Sequence, residues 1–281
     1  MPVARALGKA IVMKISGDGI FTAMSGTVIG QIELGYLRDW QIPLMLLNER
    51  MMGEAEAGGF PRSQLTWMPN PVEIDAFQPS LPEAAAAWRA RHGIPLQAKV
   101  AIYTGRLSPE KGIRELMRGV AEAAKQDPDA MLVLVGDGPM RDGLQALARE
   151  LDPTGARFHF AGRVPLAEIP HWLGAADVFA LTSPNEGFSC SLVEAMSVGL
   201  PSVVSNIDAN LQLVSGDVHG FTVRWNQPDA IGTALVRLFA DPALRQKFGA
   251  AARQRVVENY SVEKVIARYE ALFQQALSQR P

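Results

Sequence analysis

The sequence predicts an α/β fold built on parallel sheets, and three observations support this prediction. From Lys99 to about residue 225, short apolar runs alternate with segments whose apolar residues recur at helical spacing. Such alternation is typical of a parallel sheet that is covered by helices on both faces. Residues 7–70 repeat the pattern on a smaller scale, as βαβαβ. The two stretches are separated by Pro69-Asn70-Pro71-Val72, where two prolines break regular structure and predict a hinge.

The individual elements follow from the same periodicities. In the first stretch we predict strands at 10–15, 43–47 and 64–68, helices near 25–38 and 50–57, and a glycine-rich turn at Ser16-Gly17-Asp18-Gly19. In the second stretch a helix at 83–92 precedes the alternating region, and helices near 228–240, 243–258 and 261–279 close the chain. We therefore predict domains at 1–70 and 71–260, with a helix at 261–281 that packs back on the N-terminal part.

Composition and charge exclude several classes of protein. The 281 residues are 48% hydrophobic and 20% charged, so the chain can bury a sizeable core and is not disordered. A net charge of −2 argues against non-specific nucleic-acid binding, which needs a basic surface. Cys190 is the only cysteine, which indicates a reducing compartment, and we interpret it as a small buried residue. No apolar run approaches the roughly 20 residues that span a bilayer, and no signal-peptide core is present, so we predict a cytoplasmic protein.

Two glutamates stand eight positions apart in Glu186-Gly187-Phe188-Ser189-Cys190-Ser191-Leu192-Val193-Glu194. Apolar runs on both sides predict strand, loop, helix and strand, with Glu186 in the loop and Glu194 about two turns into the helix. Ligands bind at the carboxyl ends of parallel strands, and a carboxylate there can accept hydrogen bonds from a sugar or ribose diol. Gly187 allows close approach of the backbone, and the amides at the helix start favour an anion. The alternative is that both glutamates are ordinary solvated surface residues.

A second motif, Gly105-Arg106-Leu107-Ser108-Pro109-Glu110-Lys111-Gly112, runs from the end of a strand into a helix. We predict Ser108 as the helix N-cap and Pro109 as the first helical residue. Arg106 and Lys111 then flank a turn where backbone donors and the helix dipole attract phosphate. Two cations over one turn suit a diphosphate, although the pattern alone is more typical of a surface arginine and a surface lysine.

Together these motifs resemble the family 4 retaining glycosyltransferases of the GT-B fold, the glycosyl transferases group 1. The resemblance runs from about Trp67 to the C-terminus, with the motifs in the family's order. They are Gly105-Arg106-Leu107…Lys111-Gly112, Val135-Gly136-Asp137-Gly138-Pro139, Phe160-Ala161-Gly162-Arg163-Val164, Ala175-Ala176-Asp177-Val178-Phe179, Ser183-Pro184-Asn185-Glu186-Gly187-Phe188, Glu194-Ala195-Met196…Gly199-Leu200-Pro201 and His219-Gly220-Phe221.

The resemblance implies a role for each motif. Glu186 would contact the donor sugar and Glu194 the ribose hydroxyls, while Arg106 and Lys111 would bind the donor diphosphate. Main-chain groups near Arg163 and Val164 would face the nucleobase. The catalytic group would be Glu186, Arg106 and Lys111. The donor site would comprise Gly105, Arg106, Lys111, Gly136, Arg163, Val164, Glu186, Gly187, Phe188, Ser189, Leu192 and Glu194.

The same resemblance implies a reaction and its partners. The donor would be a nucleoside-diphosphate sugar, transferred with retention and without a metal or other cofactor. The acceptor would be a glycan, a lipid-linked glycan or a small molecule, in cell-envelope or exopolysaccharide biosynthesis. Since the family often uses lipid-linked acceptors, peripheral association with the inner face of the cell membrane is expected. The sequence does not predict the oligomeric state, the donor base or the sugar.

The chain departs from the family pattern at its N-terminal end. Only about 70 residues precede the predicted hinge, enough for the last three strands of a first Rossmann-like domain. We therefore expect a complete C-terminal Rossmann-like domain and only the last part of the N-terminal, acceptor-side one. Ser16 stands where many relatives carry a histidine of the catalytic site, and the first histidine in the chain is His92.

This departure keeps alternative functions open. The main one is a non-catalytic nucleotide-sugar-binding remnant or subunit that lacks a complete acceptor domain. A phosphorylase would need a cofactor lysine motif that the chain does not show. An epimerase could share the carboxylate edge, but residues 105–112 match transferases better.

Several weaker signals are interpreted as structural. Asp127-Pro128-Asp129 resembles a D-x-D metal motif, but it precedes a strand, at the edge opposite the predicted ligand site, and reads as a turn. Gly136-Asp137-Gly138-Pro139 is interpreted as a tight turn that lines the nucleotide cleft. Ser183 and Ser189 are not predicted nucleophiles, because neither lies in a G-x-S-x-G elbow. His159 and His171 are interpreted as structural or exposed residues, not as ligands.

Overall fold

The computed structural model describes residues 2–16 and 19–278, which form two units with separate parallel sheets. One unit comprises residues up to Pro71 together with those from Asn259 onward, and the other comprises Val72–Glu258. All strand pairs in both sheets are parallel, which confirms the predicted α/β class. Gly17 and Asp18 of the predicted glycine-rich turn lie outside the described residues.

The strands are short and mostly buried. They are β1 (Met13–Ile15), β2 (Leu44–Leu46), β3 (Leu65–Trp67), β4 (Lys99–Thr104), β5 (Ala130–Val135), β6 (Phe158–Gly162), β7 (Val178–Leu181), β8 (Ser202–Ser205) and β9 (Gly220–Val223). The helices are α1 (Pro2–Ala6), α2 (Ile20–Ser25), α3 (Val28–Asp39), α4 (Glu49–Ala57), α5 (Pro82–Arg91), α6 (Ile113–Ala124), α7 (Arg141–Leu151), α8 (Ile169–Gly174), α9 (Cys190–Ser197), α10 (Asp208–Leu211), α11 (Pro228–Ala240), α12 (Pro242–Asn259) and α13 (Val262–Ser278).

The first unit is built on a three-stranded sheet in the order β1-β2-β3. The last helix, α13, belongs to this unit, where its Val265 and Leu272 pack with Met45 and Met68 in one buried cluster. The helix predicted near 25–38 is α3, which begins at Val28 directly after its N-cap residue Thr27. The Thr27 side chain accepts a hydrogen bond of 3.0 Å from the amide of Gly30, as an N-cap residue does. Helices α1 and α2 were not predicted.

The second unit is built on a six-stranded sheet in the order β6-β5-β4-β7-β8-β9. The chain first adds β5 and β6 on one side of β4, and then returns to add β7 on the other side. The strand order therefore reverses between β4 and β7, whose carboxyl ends lie side by side. In open α/β sheets, such a reversal opens a crevice at the carboxyl ends of the strands, and ligands bind there.

Buried apolar strands hold this second sheet together. All residues of β5, β7 and β8 are buried, as expected for parallel strands covered on both faces. Helix α6 packs one apolar face, which includes Leu116, Met117 and Val120, into the core. Within the part of the chain that the structure describes, no helix is both long and apolar enough to cross a membrane.

Candidate functional site

The two predicted motifs meet at the reversal between β4 and β7. Lys111 follows β4, Glu186 follows β7, and 75 residues separate them in sequence. The Lys111 Nζ donates to both carboxylate oxygens of Glu186, at 2.8 Å to Oε1 and 2.9 Å to Oε2. The ion pair is largely buried, with 25% of the Lys111 side chain and 10% of the Glu186 side chain exposed. The structure thus brings one residue of each motif into direct contact.

A second contact fixes the two loops against each other. Gly112 has a φ of 63°, and a side chain there would overlap the carbonyl group of Thr182. The Thr182 hydroxyl in turn donates a hydrogen bond of 2.9 Å to the Gly112 carbonyl. Only glycine combines this left-handed backbone with so close an approach. Residue 112 is therefore the point where the loop after β4 lies directly on the loop after β7.

This contact also corrects the predicted start of the helix. Pro109–Lys111 form a 3₁₀ turn, and α6 begins only at Ile113. Ser108 makes no capping hydrogen bond, because its hydroxyl donates instead to Glu110 Oε1 at 2.5 Å. That bond is the main reason why the pKa of Glu110 lies below its usual value. The left-handed Gly112, and not Ser108, stands at the N-terminus of the helix.

Glu186 also accepts a hydrogen bond from a second residue besides Lys111. Ser183, at the start of the same loop, donates a hydrogen bond of 2.6 Å from its hydroxyl to Glu186 Oε1.

The turn after β4 is supported from below by Tyr103, whose buried hydroxyl donates to the carbonyl of Arg106 at 2.8 Å. Burial, with smaller contributions from the charges of Glu186 and Glu110, raises the pKa of Tyr103 well above its usual value. Tyr103 therefore stays a hydrogen-bond donor that supports the turn after β4.

Glu194 lies in a different environment. It is the fifth residue of α9, so it sits just over one helical turn from the helix start, and the predicted two turns were too many. Its side chain is half-buried and, among the described residues, has no hydrogen bond or ion pair. Burial raises the pKa of Glu194 from 4.5 to about 7. A carboxylate of this kind can accept hydrogen bonds from a ligand hydroxyl without first losing a protein partner.

A cleft of about 450 Å³ lies over the carboxyl ends of β4, β5 and β6. Its lining includes five of the predicted donor-site residues, namely Gly105, Arg106, Gly136, Arg163 and Val164. Gly136 has a φ of 138°, and a side chain there would overlap the Gly105 carbonyl, so this turn also requires glycine. Taken over the described residues, the lining does not include Lys111, Glu186 or Glu194. Cleft and ion pair are therefore separate features, and both adjoin the turn that follows β4.

Arg106 differs from Lys111 although both belong to one motif. Its side chain is exposed and, within residues 2–16 and 19–278, forms no hydrogen bond or ion pair. Its guanidinium group can therefore bind an anion at the rim of the cleft with two parallel hydrogen bonds.

The remaining predicted donor residues occupy mixed positions. Gly187 and Phe188 are half-buried in the loop beside Glu186. Ser189 is 3% exposed, and its hydroxyl donates to Asn210 Oδ1 at 2.7 Å. Leu192 is fully buried, and its amide donates to the Ser189 carbonyl, so the structure places it in the core under the site.

Cys190 corrects a further expectation, since its side chain is exposed and not buried. It is the first residue of α9, on the outer side of the helix start, whereas Leu192 and Val193 face the core. The apolar context of the motif suggested burial, but the helix phase decides which side each residue faces.

The D-x-D-like turn and the histidines that the sequence indicated as structural make contacts within the fold. Asp127 lies at the amino end of β5 and pairs with Lys99 at 2.5 Å, in the turn that the sequence predicted. His171 stacks on Trp88 with ring centroids 5.0 Å apart, and burial lowers the pKa of His159. Among the described residues, no three His, Cys, Asp or Glu side chains are grouped as metal ligands.

Three polar residues near Glu186 were not recognised in the sequence as part of the site. Ser183 bonds Glu186 directly, Ser205 donates from its hydroxyl to the Ser183 carbonyl at 2.5 Å, and Asn210 bonds Ser189. Ser205 and Asn210 follow the apolar run of β8, at the same edge of the sheet as Glu186. For Ser183 and Ser205 a signal existed in the sequence, because polar residues at the carboxyl end of a buried parallel strand lie at its ligand edge.

The chain is similar in sequence to known glycosyltransferases. The family described as glycosyl transferases group 1 matches residues 85–255. A GDP-mannose-dependent alpha-(1-6)-phosphatidylinositol monomannoside mannosyltransferase of Mycolicibacterium smegmatis is 32% identical over 209 residues, covering 71% of this chain and 53% of that protein. A UDP-Gal:alpha-D-GlcNAc-diphosphoundecaprenol alpha-1,3-galactosyltransferase of Escherichia coli is 30% identical over 223 residues, covering 75% and 54%. The chain thus spans about half the length of these curated relatives.

Solved structures show the fold. HepE of Anabaena, in complex with UDP and glucose, superposes with a TM-score of 0.80 at 20% identity, covering 96% of this chain and 73% of HepE. Sucrose-phosphate synthase of Thermosynechococcus elongatus gives a TM-score of 0.81 at 22% identity, covering 96% and 68%. These neighbours confirm the predicted GT-B type of fold. With the family match extending over most of the second unit, the chain belongs to the glycosyl transferases group 1 family.

Proposed function

We propose that this chain binds a nucleoside-diphosphate sugar at the carboxyl edge of the six-stranded sheet and serves glycosyl transfer from that donor. The observation that carries the proposal is the contact between Lys111 and Glu186. It joins the cationic motif suited to a diphosphate and the carboxylate motif suited to a sugar, at the position in the sheet where ligands bind.

The geometry of Lys111 supports simultaneous contacts to both parts of a donor. An ammonium group has three hydrogens, and two of them are directed at the oxygens of Glu186. The third can be donated to a phosphate oxygen while the ion pair stays in place. Lys111 would then link the diphosphate to the carboxylate that orients the sugar.

The division of roles follows from the surroundings of each group. During transfer, the bond between the sugar's anomeric carbon and a phosphate oxygen breaks, and that carbon forms a bond to an acceptor hydroxyl oxygen, which releases its proton. Negative charge accumulates on the departing diphosphate. Arg106 and Lys111 would stabilise that charge, where binding energy lowers the barrier of the reaction. Glu186 would orient the sugar, and Glu194 would hold the ribose hydroxyls. We extend the proposal to metal independence, because the two cations supply the positive charge that the diphosphate needs. We extend it to retention of configuration on the resemblance to the retaining family alone.

The nucleobase would lie in the cleft lined by Gly136, Arg163 and Val164. The relatives named above use GDP-mannose and a UDP-galactose donor, and HepE was solved with UDP. Both bases are therefore candidates for this chain. Because the names of those relatives specify a phosphatidylinositol mannoside and a diphosphoundecaprenol acceptor, we propose a glycan or lipid-linked acceptor and peripheral association with a membrane.

The proposal is tested by calorimetric titration of the full chain with UDP, GDP and ADP, with and without EDTA. We expect at least one nucleoside diphosphate to bind and EDTA to leave its affinity unchanged. Absence of binding to all three would overturn the assignment of the site, and loss of binding in EDTA would overturn metal independence. Incubation with UDP-galactose and GDP-mannose, with water or an added glycan as the acceptor, then separates a transferase from a non-catalytic binding protein, since only the former transfers the sugar and releases the nucleoside diphosphate.

A further inference from the structure

The loop that carries Glu186 is tied at both ends to one buried polar cluster behind the site. The cluster consists of Ser183, Ser189, Ser205 and Asn210, all of them at most 3% exposed. Ser183 opens the loop, and Ser189 closes it just before α9. Ser205 and Asn210 come from the end of β8 and from α10, outside the loop.

We propose that Asn210 is a positioning residue that sets the place of Glu186 through this cluster, an inference that rests on the proposed function. Its side chain is fully buried, and all its hydrogen bonds go to the cluster. Its Oδ1 accepts from the Ser189 hydroxyl at 2.7 Å. Its Nδ2 donates to the Ser205 carbonyl at 3.1 Å and to the Ser205 hydroxyl oxygen at 3.0 Å.

The route from Asn210 to Glu186 consists of consecutive hydrogen bonds. With its oxygen accepting from Asn210, the Ser205 hydroxyl directs its own hydrogen to the Ser183 carbonyl at 2.5 Å. The Ser183 hydroxyl then donates to Glu186 Oε1 at 2.6 Å. Asn210 thereby fixes the first residue of the loop through Ser205 and the last residue directly.

The position of Ser189 gives independent support. It is the N-cap residue of α9, where a serine hydroxyl ordinarily accepts a hydrogen bond from an amide in the first turn. Here it makes no capping bond and donates to Asn210 instead. The Ser189 hydroxyl therefore ties the end of the loop to a residue 21 positions away and not to the first turn of the helix.

Loss of the cluster's hydrogen bonds should weaken the contacts to the sugar part of the donor and leave the contacts to the nucleotide part unchanged. Glu194 lies on α9, which Leu192 and Val193 anchor in the core independently of the cluster. Release of the loop should therefore displace Glu186 and leave the contacts of Glu194 and Arg106 in place. The effect should appear in affinity for the intact nucleotide sugar and not in affinity for the nucleoside diphosphate.

The experiment compares Asn210→Ala, Ser205→Ala and Ser189→Ala with a matched control, Ser202→Ala. Ser202 is buried on the same strand as Ser205, but its hydroxyl has no hydrogen-bond partner among the described residues. Calorimetry measures affinity for the nucleoside diphosphate and for its sugar conjugate. For the three cluster variants we expect roughly a tenfold loss for the sugar conjugate and less than about a twofold loss for the diphosphate. The control should change neither.

Hydrogen exchange of the loop amides at 183–189, measured without ligand, tests the inference separately. Asn210→Ala and Ser205→Ala should raise exchange in this loop about tenfold or more, with Ser202→Ala unchanged. Equal losses of affinity for both ligands, unchanged exchange of the loop amides, or unchanged affinity for the sugar conjugate would each overturn the positioning role. If Asn210→Ala does not fold, Ser205→Ala decides, because it removes only the hydroxyl. If the wild-type chain binds no nucleotide sugar, the proposed function fails, and the exchange measurement still decides whether Asn210 orders the loop.

Discussion

Glu186 and Glu194 occupy one loop–helix segment, eight residues apart, and their surroundings are opposite. Glu186 accepts three hydrogen bonds from Lys111 and Ser183 and sits in an ion pair. Glu194 has no such partner among the described residues, and burial raises its pKa to about 7. The first carboxylate is thus fixed in place by the protein, whereas the second is only shielded from water.

This difference indicates two modes of ligand recognition within a single motif. A carboxylate with its protein contacts already made is oriented before the ligand arrives, which favours selection among sugars. A carboxylate without contacts gains its hydrogen bonds from the ligand itself, so more of their free energy appears as affinity. Glu186 is therefore expected to govern which sugar binds, and Glu194 how tightly the nucleotide binds.

The largest expected effect comes from Lys111→Ala. It leaves the buried Glu186 without its cation and removes one phosphate contact, so both stability and diphosphate affinity should fall. The pair is not fully buried, so we expect a loss of roughly 2 kcal/mol, below the roughly 3–5 kcal/mol for a fully buried pair. Diphosphate affinity should fall tenfold or more, at about 1.5–3 kcal/mol for a charged hydrogen bond. Urea unfolding and calorimetry measure the two quantities.

Arg106→Ala is the matched comparison, because Arg106 is exposed and has no ion pair in the described part of the chain. It should weaken diphosphate binding similarly while changing stability by less than about 0.5 kcal/mol. Adding Glu186→Gln to Lys111→Ala should restore stability. Equal unfolding midpoints for the two single variants would show that the ion pair contributes nothing measurable.

The next largest effect is on ligand affinity, and it should differ between substitutions of the two glutamates. Glu194→Ala should lower nucleoside diphosphate affinity by about 1–3 kcal/mol, roughly tenfold, through the lost ribose contact. Glu186→Ala should lower affinity for the intact nucleotide sugar by a similar amount. It should not weaken diphosphate binding, since it frees two donors of Lys111 for the phosphates.

This prediction requires both variants, both ligands and a check of folding by circular dichroism. If the two substitutions reduced diphosphate binding equally, the proposed division between sugar and ribose would be wrong.

The smallest effect is the pH dependence of binding. A ribose diol donates to the ionised carboxylate, so nucleotide-sugar affinity should improve as pH rises from 6 to 8 through the pKa of Glu194, near 7. The improvement should stay below about tenfold, the equivalent of one pKa unit. Glu194→Gln should abolish it. The intact nucleotide sugar is the appropriate ligand, because the terminal phosphate of a nucleoside diphosphate itself titrates in this range.

Folding stability without ligand should change in the opposite direction over the same range. The folded-state pKa of Glu194 lies above its usual value of 4.5, so the folded protein retains a proton that the unfolded chain releases. Its contribution to the unfolding free energy is therefore fully present below pH 4.5 and is lost as pH rises through about 7. A wild-type stability that rose over this range relative to Glu194→Gln would contradict the burial of the carboxyl group.

Much of the fold could be predicted from periodicity, but details of the site depended on distant contacts. Apolar runs and helical spacing placed β4 and β7 with their loops, because these patterns are local. The start of α6 could not be predicted, since Gly112 takes its left-handed conformation against Thr182, 70 residues away. In the same way, Ser189 matches a helix cap locally, but its hydroxyl bonds Asn210.

The exposure of Cys190 was mispredicted for a different reason. Its neighbours Leu192 and Val193 are buried, and the segment as a whole is apolar. Which side each residue faces depends on where α9 begins, and a shift of one residue rotates every side chain by about 100°. The same uncertainty in the helix start placed Glu194 too far along the helix.

The close approach of Gly112 to Thr182 also bears on the order of events in folding. The contact joins chain segments 70 residues apart, and it requires the pairing of β4 with β7, two neighbours in the sheet that β5 and β6 separate in sequence. Contacts of such long sequence separation carry a large loop-closure entropy and form late. A ligand that touches both loops would therefore recognise only the completed sheet. At 100 times its dissociation constant it would raise the unfolding free energy by about 2.7 kcal/mol, so the donor itself would act as a folding stabiliser for this unit.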